Sequence, residues 1–114
     1  MYSKKDRLKL YKDAEKCWGK LAQYDQFIEE ASELIVAINK FKRKNFYGEY
    51  ENDNSIEDNL LEELADTYLC LELLISYAGE KKFAKRLDEK LDKFKYQIDK
   101  QKAKNINTKK IDFK

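Results

Sequence analysis

The 114-residue chain contains no proline, no histidine and only three glycines. Few positions can therefore interrupt a helix, and a chain that is 40% charged and rich in Leu, Glu and Lys favours an all-α fold over any sheet. Without histidine, Cys17 and Cys70 can form neither a Cys/His zinc site nor a Cys–His nucleophile. We expect both cysteines to be reduced, small packing residues within helices.

Long apolar runs are absent as well. No stretch is long enough to cross a bilayer, and the first residues, MYSKKDRLKLYKD, lack the apolar core of a signal peptide. We therefore expect a soluble, cytoplasmic protein without a membrane partner. The length predicts one domain at residues 1–104, followed by a basic, flexible tail at residues 105–114.

Charge is segregated along the chain. Residues 1–44 carry 11 bases and 7 acids, residues 45–78 carry 9 acids and no base, and residues 79–114 carry 13 bases and 6 acids. The acidic middle block repels phosphate unless a cation intervenes. In the flanking blocks, Lys residues alternate with acids at helical spacing, which favours a solvated helix surface over nucleic-acid binding.

Apolar residues recur every three or four positions and predict four helical segments. Gly19 separates the first two segments, NFYGEYENDNS forms a loop, and Gly79 lies in a short turn. Ser55 followed by Asp58 resembles a capping box at the start of the third segment. The predicted helices span approximately residues 5–17, 20–44, 56–77 and 80–104.

Two pairs of carboxylates lie in predicted helices whose other residues are mostly apolar and suited to burial. Glu30 lies at the edge of the second helix's apolar stripe, and Glu33, three residues later, lies just beyond it. Glu63 and Asp66 repeat this spacing on the third helix. If the two faces meet, four carboxylates converge in a partly desolvated place, which is costly unless a cation neutralises them. Mg²⁺ prefers such oxygen ligands and commonly bridges carboxylates to substrate phosphates.

Two segments of the chain resemble the paired motifs of the MazG-like, all-α nucleoside triphosphate pyrophosphohydrolases. They are FIEEASEL, preceded by WGKLAQYDQ, and LEELADTYL. The resemblance runs from about Trp18 to Ile75 and more loosely through the fourth helix. It implies a four-helix module that assembles into homodimers or homotetramers. It also implies Mg²⁺-dependent cleavage of a (d)NTP to the monophosphate and pyrophosphate, with Mn²⁺ as an alternative ion, in cleansing of the nucleotide pool.

Carried over by position, the resemblance assigns metal binding to Glu30, Glu33, Glu63 and Asp66. Glu29 matches a position that supports the site or handles the attacking water. We accordingly expect Glu29 and Glu33 to be the catalytic residues.

Substrate contacts are expected from side chains around this site. On the helical wheel Lys40 shares the strip of Glu33, and Arg43 follows one turn later, where it could equally serve as a cation at the helix C-terminus. Trp18 could stack on the base or belong to the core, and the loop aromatics could also stack on the base. Gln23 matches a substrate-binding position of related proteins. The aromatic loop candidates are Phe46, Tyr47 and Tyr50.

Two other functions remain open from the sequence. The chain could be a non-catalytic helical interaction or regulatory module, in which the carboxylates are surface residues and the basic fourth helix or tail docks a partner. It could also keep the fold and the chemistry but act specifically on dUTP or dCTP.

Overall fold

A computed structural model describes the backbone of residues 1–112 and the side chains of residues 1–106. This part of the chain is all-α and forms three helices: α1 (Lys4–Tyr47), α2 (Ser55–Ala78) and α3 (Glu80–Asp112). The all-α prediction is confirmed, but there are three helices where the sequence predicted four segments. The difference arises because the first two predicted segments run together as α1.

Gly19 interrupts α1 where the sequence predicted a break. Its φ of 83° and ψ of 162° lie outside the helical region, and residues on both sides are helical. Glycine adopts this positive φ without the steric clash that a side chain would add. The N-terminal part of α1 begins at a capping box, in which Ser3 and Asp6 each accept a hydrogen bond from the other's backbone N–H.

The chain between α1 and α2 forms a turn with a left-handed Gly48, whose N–H donates to the Arg43 carbonyl. The predicted Ser55–Asp58 capping box is wrong. Asp53 takes the capping role instead, because its Oδ1 accepts hydrogen bonds from the Ser55 backbone N–H at 3.0 Å and from the Ser55 hydroxyl. Lys44 Nζ lies 2.9 Å from Glu57 Oε1 and donates to the Asp53 carbonyl, which ties this turn to both helices.

The chain divides into two compact units, the first covering Met1–Tyr77 and the second beginning at Ala78. In the first unit α1 and α2 pack together over a small core. The buried residues of α1 are Tyr11 and Ala37. On the predicted stripe, Phe27 and Leu34 are half-buried, while their alternatives Ile28 and Ile35 are 63% and 61% exposed. The buried apolar side chains of the described residues are Tyr11, Ala37, Ile56, Cys70 and Leu73.

A buried carboxylate network joins the N-terminal part of α1 to α2. Glu72 is 8% exposed, and its carboxylate accepts hydrogen bonds from Arg7 Nε at 2.6 Å and Tyr11 Oη at 2.7 Å. Arg7 Nη2 and Tyr68 Oη also donate to its second oxygen. The Arg7 guanidinium, with the tyrosine donors, lowers the pKa of Glu72 to about 2 against the cost of burial. Burial and the neighbouring Glu72 raise the pKa of Tyr11 to about 12.

The second unit is formed by α3. Its side chains from Lys81 to Ile106 are all exposed. The helix continues to Asp112, beyond the expected end near Lys104. The predicted flexible tail at residues 105–114 falls mainly on positions whose side chains lie outside the described residues.

Both cysteines are free thiols, as expected, but only Cys70 is buried, while Cys17 is exposed. The expected packing role is therefore wrong for Cys17. Among the described residues, none of the helices combines the length and the apolar character required for a membrane span.

Candidate metal centre

Three carboxylates from two helices converge in the first unit. Glu30 and Glu33 lie one turn apart on α1, and Glu63 lies on α2. One carboxylate oxygen of each lies within 4.8 Å of the other two. Glu30 and Glu63 are half-buried and Glu33 is exposed, as the helical wheel indicated for α1. The structure thus brings together three of the four acids that the two sequence motifs single out.

Two hydrogen bonds fix the position of Glu30. Gln26 Nε2 donates to Glu30 Oε1 at 2.8 Å, one helical turn away on the same face. Thr67 Oγ1, on α2, donates to the backbone carbonyl of Glu30 at 3.2 Å and so links the two helices beside the acids. The second oxygens, Glu30 Oε2 and Glu63 Oε2, are buried and have no hydrogen-bond partner among the described residues.

Burial and mutual repulsion raise the pKa of two of these acids. For Glu30 the main cause is burial, supported by the charges of Asp66, Glu33 and Glu29 and opposed by the hydrogen bond from Gln26. For Glu63 burial again comes first, followed by the charges of Glu33, Glu30 and Asp66. A raised pKa means that keeping these two carboxylates ionised lowers the stability of the folded chain.

The donor set fits a hard divalent cation. All three converging groups offer carboxylate oxygens, and two oxygens are buried without a hydrogen-bond partner. Such oxygens are costly to bury unless a donor or a cation satisfies them, and Mg²⁺ takes oxygen ligands in preference to nitrogen or sulfur. No ion pair formed within the described residues joins a Lys or Arg to any of these three acids.

Asp66 and Glu29 lie at the margin of the cluster. Asp66 is exposed and outside the set of three converging oxygens, although its charge contributes to the raised pKa values of Glu30 and Glu63. Glu29 is exposed next to Glu30. Both side chains therefore face solvent beside the cluster rather than join its converging oxygens.

A groove on α1 contains the two candidates for base contact. Trp18 and Gln23 line a space of about 410 Å³ together with Ala22 and Gln26. Trp18 is 71% exposed, so it is not a core residue of this chain. Gln26 is the link between this groove and the acids, because it lines the groove and also donates to Glu30.

The candidate phosphate contacts lie beyond the acids, toward the C-terminal end of α1. Lys40 is exposed and lines a polar groove of about 360 Å³ with Asn59 and Glu62 of α2. Arg43 Nε lies 3.9 Å from Glu49 Oε2, so this guanidinium faces the turn rather than the acids. The loop aromatics Phe46, Tyr47 and Tyr50 are exposed.

Sequence reasoning missed the residues that support the site. Gln26 precedes Glu30 by four residues, a spacing that places both on one helix face and marks it as a hydrogen-bonding partner. Thr67 follows Asp66 and is the only hydroxyl of the LEELADTYL segment apart from Tyr68. Glu72 interrupts the apolar run CLELLI, and a lone acid in such a run signals a buried partner.

Comparison of the chain with protein-family models, with curated proteins and with solved structures finds no match.

Proposed function

We propose that the chain is a divalent-cation-dependent nucleoside triphosphate pyrophosphohydrolase of MazG-like type. The observation that carries this proposal is the convergence of Glu30, Glu33 and Glu63 from two helices, with two buried carboxylate oxygens left without partners. The resemblance of FIEEASEL and LEELADTYL to the paired family motifs gives this centre its chemistry. Its substrate would be a free (d)NTP of the cytoplasmic pool rather than a nucleic acid.

Glu30, Glu33 and Glu63 would hold Mg²⁺, with Mn²⁺ as an alternative, and exposed Asp66 would turn in as a fourth ligand. The bound ion would neutralise the triphosphate and polarise its α-phosphorus. Gln26 holds one oxygen of Glu30, which leaves the other directed away from that hydrogen bond.

The residues around the centre would orient the water, offset charge on the leaving group and contact the base. Glu29, exposed beside Glu30, would orient the attacking water, together with exposed Glu33. Lys40, in the groove beyond Glu33, would offset charge on the departing pyrophosphate. Trp18 and Gln23 would contact the base in the groove on the other side.

The proposed enzyme would be an oligomer. Leu61, Leu64 and Leu69 on α2 are between 44% and 66% exposed, and Ile28 and Ile35 on α1 are exposed as well. Apolar side chains at this density on two adjacent helices are typical of a subunit interface. We propose that a homodimer or homotetramer covers them.

The test is release of pyrophosphate from a panel of canonical and modified (d)NTPs, with Mg²⁺, with Mn²⁺ and with chelator. We expect cation-dependent turnover of at least one nucleotide, lowered about 100-fold or more by Glu33→Gln, because the substitution removes a ligand of the cation that would offset transition-state charge. Asp25→Asn, which alters an exposed acid of the same helix, is the matched control and should retain activity. Turnover of dUTP or dCTP alone would narrow the substrate class.

A non-catalytic interaction module is the alternative, and the complete exposure of α3 from Lys81 to Ile106 favours it. Absence of turnover above background across the whole panel, from a protein with native circular dichroism, would support this alternative and reject the enzyme.

A further inference from the structure

The exposed face of α3 carries a regular apolar seam. Its residues alternate in spacing by three and four positions, which places them on one stripe of the helix and is the pattern of a coiled-coil core. The largest of them are 38% to 58% exposed. The seam consists of Ala84, Leu87, Leu91, Phe94 and Ile98.

The seam has a defined end. The next two positions in the same spacing are Gln101 and Asn105, and Gln101 Nε2 donates to Asn105 Oδ1 at 3.0 Å. Polar residues at core positions of a coiled coil restrict register and partner number. The large apolar side chains of the seam, Leu87 to Ile98, are therefore centred between Leu91 and Phe94.

The charges beside the seam disfavour a parallel pairing with a second copy. In a parallel coiled coil of this seam, the residue before Leu91 on one helix faces the residue after Phe94 on the other helix. This rule would place Lys90 opposite the partner subunit's Lys95, and the symmetry of the pair would repeat the contact. Two like-charge contacts would then flank the centre of the seam.

The antiparallel pairing replaces this repulsion with attraction. With Leu91 packed on the partner subunit's Phe94, Leu87 meets the partner subunit's Ile98, and the polar Gln101 falls at the ends. Asp88 then faces the partner subunit's Lys95, again twice by symmetry. Lys95 already lies 2.9 Å from Asp99 in an exposed pair, which is weak enough to be shared or exchanged.

Registers shifted by one heptad lose this match. One shift places Asp88 opposite the partner subunit's Asp88, and the opposite shift places Lys95 opposite the partner subunit's Lys95. The centred register has one unfavourable pair, Lys81 with the partner subunit's Lys102, near the ends of the seam, where solvent screens it.

We propose that α3 is a homodimerisation helix, whose seam Ala84–Ile98 packs antiparallel on the same seam of a second copy of this chain, with Asp88 and Lys95 setting the direction. This inference does not rest on the proposed nucleotide chemistry.

The experiment measures the dimer dissociation constant of the full chain by sedimentation over a dilution series, with far-UV circular dichroism to verify helicity. Lys95→Glu replaces two attractive contacts with two repulsive ones and should weaken the dimer about tenfold. The exchange Asp88→Lys with Lys95→Glu restores opposite charges across the antiparallel pair and should recover the affinity of the native chain.

Lys93→Glu makes the same charge change on the outward face of α3 and is the matched control, with an expected effect below about twofold. Lys102→Glu removes the outer repulsion and should tighten the dimer. A dimer that Lys95→Glu tightens would instead be parallel, a dimer that it leaves unchanged would use another surface, and a native chain that stays monomeric would have no such interface. Each of these three results would overturn the proposal.

Discussion

Glu72→Gln tests the network that holds the N-terminal part of α1 against α2. The substitution keeps the size of the side chain but removes the charge that accepts hydrogen bonds from Arg7 and Tyr11. Because Glu72 is 8% exposed, water cannot replace these partners, and the Arg7 guanidinium loses its anion.

The size of the effect follows from the pKa of Glu72. Its value of about 2, against an ordinary 4.5, corresponds to about 3 kcal/mol of stabilisation of the ionised form. The Arg7 side chain is 35% exposed, so solvent screens part of this interaction, and we expect Glu72→Gln to lower the free energy of unfolding at neutral pH by about 1–2 kcal/mol. Since the pKa is lowered on folding, this stabilisation is present above pH 4.5 and is lost as the pH falls toward 2.

The assay is urea unfolding of the native chain, Glu72→Gln and the exposed-acid control Asp25→Asn, each at neutral pH and at several pH values below 4.5. The difference between native and Glu72→Gln should shrink as the pH falls, while Asp25→Asn should stay within about 0.5 kcal/mol of the native chain. A difference that remains constant down to pH 3, or a Glu72→Gln chain as stable as the control at neutral pH, would show that the ionised Glu72 carboxylate does not stabilise the fold.

Other predictions concern the acids, the groove and the break. Since folding raises its pKa, Glu63→Gln should raise the melting temperature of the metal-free chain at neutral pH, and this gain should disappear at pH values low enough to protonate Glu63. Gln26→Leu should weaken Mn²⁺ binding about tenfold, measured by electron paramagnetic resonance, because Glu30 loses the donor that orients it. Gly19→Ala should lower the free energy of unfolding by about 1 kcal/mol, measured in urea, because alanine is strained at a φ of 83°. An unchanged value in any of these measurements would contradict its stated cause.

Much of the fold could be predicted from local signals. The break at Gly19 needs only the conformational freedom of glycine, and the loop before α2 follows from its lack of periodicity. The capping of α2 could not be assigned in this way, because Asp53 and Ser55 are both good capping residues and the geometry of the preceding turn selects Asp53.

The candidate site was predictable to the extent that helical spacing controls it. The wheel placed Glu30 at the edge of the covered face and Glu33 beyond it, because this depends on the twist of a single helix. The position of Asp66 outside the converging oxygens depends on how α1 and α2 pack, which spacing along one helix does not determine. The exposure of Cys17 was missed, and the position of Trp18 was left open, for the same reason, since an apolar stripe does not show how much of it a small partner helix covers.

Glu30, Glu33 and Glu63 are proposed to hold a divalent cation for nucleotide hydrolysis. The most direct measurement is a crystal structure of the chain with Mn²⁺ and a non-hydrolysable dNTP, recorded with anomalous scattering. We predict a Mn²⁺ peak within coordination distance of these three carboxylates and of the triphosphate, with the base in the groove of Trp18 and Gln23. Nucleotide bound elsewhere, or no Mn²⁺ at the three carboxylates, would contradict the proposed metal centre.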